Sequence, residues 1–418
     1  MDNVVTLQTG GGKRPVRRRR RSSKTALVLG GGGFTGGVYE IGALRALDLL
    51  SVNKSINDFD VYVGTSAGSL VASFAANGIT PEQMMRVVND QVPTPFADIN
   101  LNMLLRLNLR EFLAKGARVP LHLLRVAREI PRSIATLSPM ELAVVLADML
   151  PSGIYTGSGV EEYVRSVLTA DGRTDDFRGL DNELYIAATD LDTCERIVLG
   201  AEGWDDVPIS SAVRASAALP MIYKPHVVKG RQLIDGGIVS TTNLDIAVEA
   251  GAKFVVVVNP LVPFVNDFQS EVGSLLGGSR PKHVSDLGFS KIGYQTFKLL
   301  AYQRLHEMAR HWEERYPGVD IVLIEPQPDD RVMFETDVMN YRARIDVARH
   351  GFQSVTMRLA SEYEHLHEVA ARHGIEISAT RVRKVVQHFG VERERTRAWR
   401  RILEQTTSAL LRQTASGD

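Results

Sequence analysis

The chain has 418 residues, with 44% apolar and 23% charged, ordinary values for a soluble globular protein of one large domain with an appendage, or of two domains. Its 49 Lys and Arg balance its 49 Asp and Glu, so no global charge steers it toward nucleic acid. The lone cysteine, Cys194, excludes an internal disulfide, and no long apolar run marks a membrane-spanning helix. The expectation is a soluble, cytoplasmic protein.

In chain order, residues 1–24 read as a disordered basic arm, either a solvated tail or a segment attracted to anionic headgroups at about 1 kcal/mol per basic residue. The five apolar residues after it are too few for a secretory signal and serve better as a first strand. That strand, 25–29, empties into a glycine turn and a helix over 38–50. A second strand at 59–64 runs into Gly64-Thr65-Ser66-Ala67-Gly68, followed by a helix over 70–77. This alternation predicts a parallel sheet with helices on its faces.

A helix at 81–90 precedes a leucine-rich, basic helical insertion at about 95–150, read either as helices packed on the sheet or as a basic amphipathic cap touching lipid. Strands are predicted at 183–189, 196–199, 232–234, 254–258 and 320–324, with helices at 209–216 and 243–250. Residues 262–282 read as a loop, and 339–413 as charged helices with solvated faces or a partner-binding role. The intended partition is an arm (1–24), a catalytic domain (26–260) and a mainly helical C-terminal region (261–418).

Three short patterns carry the chemistry. Gly31, Gly32, Gly33 and Gly36 present backbone N–H groups at the mouth of a helix, a place that favours negative charge. The same residues satisfy G-x-G-x-x-G, but the acidic residue a dinucleotide site needs at the end of the second strand is missing. Gly64, Thr65, Ser66, Ala67 and Gly68 fit G-x-S-x-G, in which glycines at both ±2 positions let a serine occupy a cramped strand-to-helix turn. Serine needs a base to become a nucleophile. Asp235, at a strand end and followed by Gly236 and Gly237, is the best-placed candidate, although a DGG sequence is also a common hairpin signal. No metal-ligand cluster and no cofactor are expected.

Together, in this order, the glycine loop, the GTSAG elbow and the DGG motif resemble the patatin-like phospholipases. Ala188-Thr189-Asp190-Leu191 and the segment from Arg214 to Pro220 are similar to further family segments. The resemblance covers about 26–258 and implies an α/β fold, a three-layer α/β/α sandwich with a mostly parallel central sheet. It also implies a Ser66–Asp235 dyad, with the glycine loop as oxyanion hole contributing about 3–4 kcal/mol per well-placed donor. The implied substrates are phospholipids, lysophospholipids or other lipid esters, with peripheral membrane contact through the basic segments. Thr35 departs from the family pattern, which usually has Arg or Lys there. A general esterase or thioesterase, or a weakly catalytic scaffold acting through its tail, are the alternatives.

Overall fold

The computed structural model describes residues 23–89, 105–114, 150–170, 172–265, 283–328, 330–336 and 340–387. Almost all of the basic arm, most of the 95–150 insertion, the loop at 266–282 and the tail after 387 lie outside these described residues.

The first unit is β1 (Thr25–Leu29), α1 (Gly33–Leu50), β2 (Val61–Thr65) and α2 (Ala67–Ala76). The first helix starts five residues earlier than predicted, because Gly33, Gly36 and Gly37 belong to its first turns and not to the loop. Next comes α3 (Pro81–Val88), whose start is fixed by a capping box. Thr80 and Gln83 exchange backbone-to-side-chain hydrogen bonds of 2.9 and 3.2 Å there.

After the insertion come β3 (Gly153–Tyr155), α4 (Ser158–Leu168), β4 (Glu183–Asp190), β5 (Arg196–Leu199) and α5 (Ile209–Ser216). Then follow β6 (Met221–Tyr223), β7 (His226–Val228), β8 (Arg231–Asp235), α6 (Leu244–Glu249) and β9 (Phe254–Val258). The C-terminal region adds α7 (Phe289–Ala309), α8 (Trp312–Arg315), β10 (Asp320–Ile324), α9 (Arg331–Glu335), α10 (Arg344–Ser361) and α11 (Tyr363–Arg372).

Among the described residues the main sheet runs β10-β9-β1-β2-β4-β8-β7, with β5 also on β4. The five strands from β10 to β4 are parallel, and β5, β7 and β8 join antiparallel. Parallel strands need cover on both faces, and the side-chain alternation supplies it. Leu27, Leu29, Tyr62, Phe254, Val256 and Val258 point into one core with α1, α2, α4, α5, α10 and α11. Ala26, Val28, Val61, Val63, Val255 and Val257 point into the other, against Leu244 and Ala247 of α6 and Leu305 of α7. The result is the three-layer α/β/α arrangement. The region after residue 261 is joined to the same body: β10 extends the sheet beside β9, and α10 packs along α1.

One buried group on α1 is unusual. Glu40 is fully buried, and neither carboxylate oxygen reaches a hydrogen-bond partner in good geometry among the described residues. Burial outweighs the nearby Gly30 backbone and holds its carboxyl well above the usual carboxylate range. Such an acid leaves stability intact below its unfolded pKa and erodes it as pH rises toward the folded one. Glu40→Gln is therefore expected to raise the unfolding temperature at pH 8 and to change it little near pH 4. Calorimetry at the two pH values checks this, and an equal effect at both would show that the carboxyl is not the destabilising group.

Candidate active site

β2 ends at Thr65 and α2 begins at Ala67, so Ser66 alone turns the chain between them. It does so at φ 55° and ψ −125°, a conformation that costs a non-glycine residue about 1–3 kcal/mol and is kept only where the surroundings enforce it. The enforcement is steric. A Cβ on Gly64 would stand 2.5 Å from Ser69 Cα, and one on Gly68 would stand 2.5 Å from the carbonyl oxygens of Leu29 and Gly30. Thr65 is held from the side by Asn243, whose amide donates to its Oγ1 at 3.0 Å. Ala67 packs against Gly37, where an added Cβ would lie 3.2 Å away.

Asp235 closes β8 and meets this elbow. Ser66 Oγ donates to Asp235 Oδ2 at 2.6 Å, and both residues are buried, 8% and 3% exposed. The other carboxylate oxygen, Oδ1, accepts the Gly237 N–H at 2.7 Å. Gly236 lets β8 lie against β4, since a Cβ there would be 2.2 Å from Ala187 O. Burial pushes the Asp235 carboxyl up to about 6, against the opposing pull of the Ser66 hydroxyl and the Gly237 N–H. A carboxyl in that range is a far better proton acceptor near neutrality than a solvated aspartate.

The glycine turn lies directly over the serine: a Cβ on Gly31 would be 3.2 Å from Ser66 Cβ. Its N–H groups are divided between two tasks. Gly30 donates to Val258 O at 2.9 Å, Gly31 to Thr241 O at 3.0 Å, and Gly36 to Gly32 O at 3.0 Å, so these donors hold the turn in shape. Gly36 also presses on Pro260, with 3.1 Å from a virtual Cβ to its Cγ. Gly32 caps α1 and Gly33 opens it, where first-turn N–H groups have no partner inside the helix. Ala67 occupies the same place on α2.

An apolar cavity of about 140 Å³ opens at Ser66, with Phe34, Val38, Ile41, Leu70, Tyr163 and Leu219 among its walls. A serine with a buried carboxylate partner, overlooked by helix-terminal N–H groups and facing an apolar cavity, can attack an ester that carries a hydrocarbon chain.

Three further residues complete the site, and sequence reasoning assigned them no role. Ser216 Oγ accepts the Ser66 N–H at 2.8 Å and donates to Ala187 O at 2.6 Å, linking the elbow to β4. Thr189 Oγ1 donates to Asp235 O at 3.1 Å, fixing the aspartate backbone from the same strand. Asn243, at φ 50°, holds Thr65. Ser216 and Thr189 sit in segments singled out above, so a signal existed. Nothing local marks Asn243.

Residues 27–248 match the family model described as patatin-like phospholipase. The probable lipid hydrolase 463L of Invertebrate iridescent virus 6 is 22% identical over 217 residues, 52% of this chain, and the match spans 61% of that relative's length. Among solved structures, VipD from Legionella pneumophila aligns with a TM-score of 0.34 and 13% identity, over 81% of this chain and 67% of the other. Human GIVD cytosolic phospholipase A2, solved with methyl gamma-linolenyl fluorophosphonate, aligns at 0.34 and 9%, over 84% and 59%.

Removing the Ser216 hydroxyl would strand the buried Ser66 N–H. Ser216→Ala is expected to lower unfolding stability by about 1–3 kcal/mol in urea titration. A loss below about 0.5 kcal/mol would mean that the elbow N–H finds another acceptor.

Proposed function

This chain belongs to the patatin-like phospholipase family, and on that premise we propose that it is a serine acyl hydrolase of lipid esters working through Ser66 and Asp235. The observation that carries this reading is the 2.6 Å hydrogen bond from the strained Ser66 hydroxyl to the buried Asp235 carboxylate, at the mouth of an apolar cavity.

The chemistry follows from those positions. Asp235 Oδ2 takes the hydroxyl proton as Ser66 Oγ adds to the ester carbonyl, and the new oxyanion is held by the N–H groups of Gly32 and Gly33 beside it. Collapse of the tetrahedral intermediate breaks the ester bond, and Asp235 returns its proton to the departing alcohol. A water then adds to the acyl-enzyme as it gives its proton to Asp235, and collapse breaks the bond to Ser66 Oγ, which takes that proton back from Asp235 as the carboxylic acid is released. Phospholipids and lysophospholipids are the proposed substrates, with the acyl chain in the apolar cavity and the headgroup outside it.

Peripheral membrane contact through the basic arm and the basic insertion is part of the proposal, although most of both lies outside the described residues. No described helix is long and apolar enough to cross a membrane. The cavity's size favours a second reading: at about 140 Å³ it also suits a short-chain ester.

Two measurements test the reading. A fluorophosphonate probe is expected to label the protein, and labelling and ester hydrolysis should both fall by at least about 10³-fold in Ser66→Ala. Asp235→Asn should be comparably inactive while unfolding no more easily than wild type, since it removes a buried carboxylate. Unchanged hydrolysis in folded Ser66→Ala would sink the dyad. Because Asp235 must be ionised to accept the proton, kcat/KM should be flat above about pH 6 and fall tenfold per unit below it. A profile flat down to pH 4.5 would exclude Asp235 as the base.

A further inference from the structure

The turn Gly31-Gly32-Gly33-Phe34-Thr35-Gly36 carries no charged side chain, and its first helical turn holds the N–H donors assigned above. What braces its outer side comes from far along the chain. The Phe34 ring meets the Tyr341 ring at a centroid distance of 5.4 Å and an interplanar angle of 36°. Tyr341 opens a short 3₁₀ turn, Tyr341–Ala343, whose start is capped by Asn340: its Oδ1 accepts the N–H groups of Arg342 at 3.1 Å and Ala343 at 3.3 Å. The Arg344 guanidinium lies 4.0 Å from the Tyr341 ring centroid. It also donates to Tyr341 O at 3.2 Å and to Val88 O, at the end of α3, at 2.9 Å. Arg344, Phe34, Gly33 and Ser66 line the same cavity.

Behind this contact, α10 is locked onto α1 backbone to backbone. A Cβ on Gly42 would lie 2.1 Å from Ala348 O, and one on Gly351 would lie 2.5 Å from Tyr39 O. The two helices therefore have no freedom to separate or slide without losing this fit. Residues 341–351 all lie beyond the 27–248 span of the family match.

We infer that Tyr341 and Arg344 are positioning residues, a strut from the C-terminal region that holds Phe34 and thereby sets the orientation of the Gly32 and Gly33 N–H groups. The inference rests on the hydrolase reading for its catalytic consequence, but not for its structural one. The tilted ring contact of Tyr341 with Phe34 restrains the first turn of α1 from one side, while the Gly31 N–H to Thr241 bond restrains its base. A donor displaced from the oxyanion weakens stabilisation of the transition state more than binding of the ground state, so the strut should act on kcat.

The test compares Tyr341→Ala, Tyr341→Leu and Tyr341→Phe in the full chain, alone and combined with Phe34→Ala. The readouts are p-nitrophenyl ester hydrolysis and hydrogen exchange of the peptide covering the glycine turn. Tyr341→Leu keeps apolar bulk and guards against a misfolded alanine variant. The expected result is a kcat lowered at least tenfold in the alanine and leucine variants, with KM within about twofold. Exchange of the turn should be faster, and Tyr341→Phe should restore most of both. The double variant with Phe34→Ala should be little worse than the poorer single one.

Unchanged turn exchange in a folded leucine variant, or fully additive losses with Phe34→Ala, would overturn the strut. If wild type neither hydrolyses the ester nor labels with the fluorophosphonate, the proposed function fails, and the exchange arm still decides the strut.

Discussion

The buried hydrogen bond between Ser66 and Asp235 joins residues 169 positions apart, and the sheet exists in a form that makes it possible. β4 lies between the strand that delivers the serine and the strand that delivers the aspartate. It pairs parallel with β2, Thr65 opposite Ala187, and antiparallel with β8, Asp235 opposite Ala188, and this register brings the ends of β2 and β8 together although the two strands run in opposite directions. β4 also supplies the anchors for both partners: Ala187 O, reached through Ser216, for the serine and Thr189 Oγ1 for the aspartate. A shift of β4 by one residue would turn these groups away and put its buried side chains on the wrong face.

Ser66 and Asp235 are held in tension with stability. Ser66 keeps a positive φ, and Asp235 keeps a carboxylate in a place that resists charge. Both are tolerated because the backbone around them has no slack. Glycines stand at the elbow where a side chain would collide, and the groups that meet Ser66 are themselves anchored to backbone: the Ser216 hydroxyl to Ala187 O and the Asp235 carboxylate to the Gly237 N–H. The packing that raises the aspartate's proton affinity by burial also holds the Ser66 hydroxyl 2.6 Å from it. Strain and desolvation here are two outcomes of the same close packing.

The parts legible in the sequence are those whose backbone geometry demands a particular residue. Gly64 and Gly68 around Ser66, and Gly236 after Asp235, answer collisions of 2.2–2.9 Å, and no other residue type fits. The continuous apolar runs of β1 and β9 were legible because both faces of these strands are buried. What stayed hidden depends on distant partners. Gly31 looks equivalent to Gly32 and Gly33 in the sequence, yet its N–H group is taken by the Thr241 carbonyl. The three-residue strands β3, β6 and β7 are too short to display a period. Gly42 and Gly351 carry no local signal, although they mark the line along which α1 and α10 meet.

The hydrogen bonds from Gly30 to Val258 and from Gly31 to Thr241 have a consequence for how the protein is made. On the ribosome, the glycine turn emerges more than two hundred residues before the carbonyls that shape it. At ordinary elongation rates this leaves roughly 10–50 s in which Ser66 exists without its finished surroundings. The nascent chain therefore starts with its glycine turn unshaped, and the turn is completed only with β9 and the segments that follow. The order of the chain thus writes a delay into the completion of the elbow's surroundings, whatever else regulates the protein.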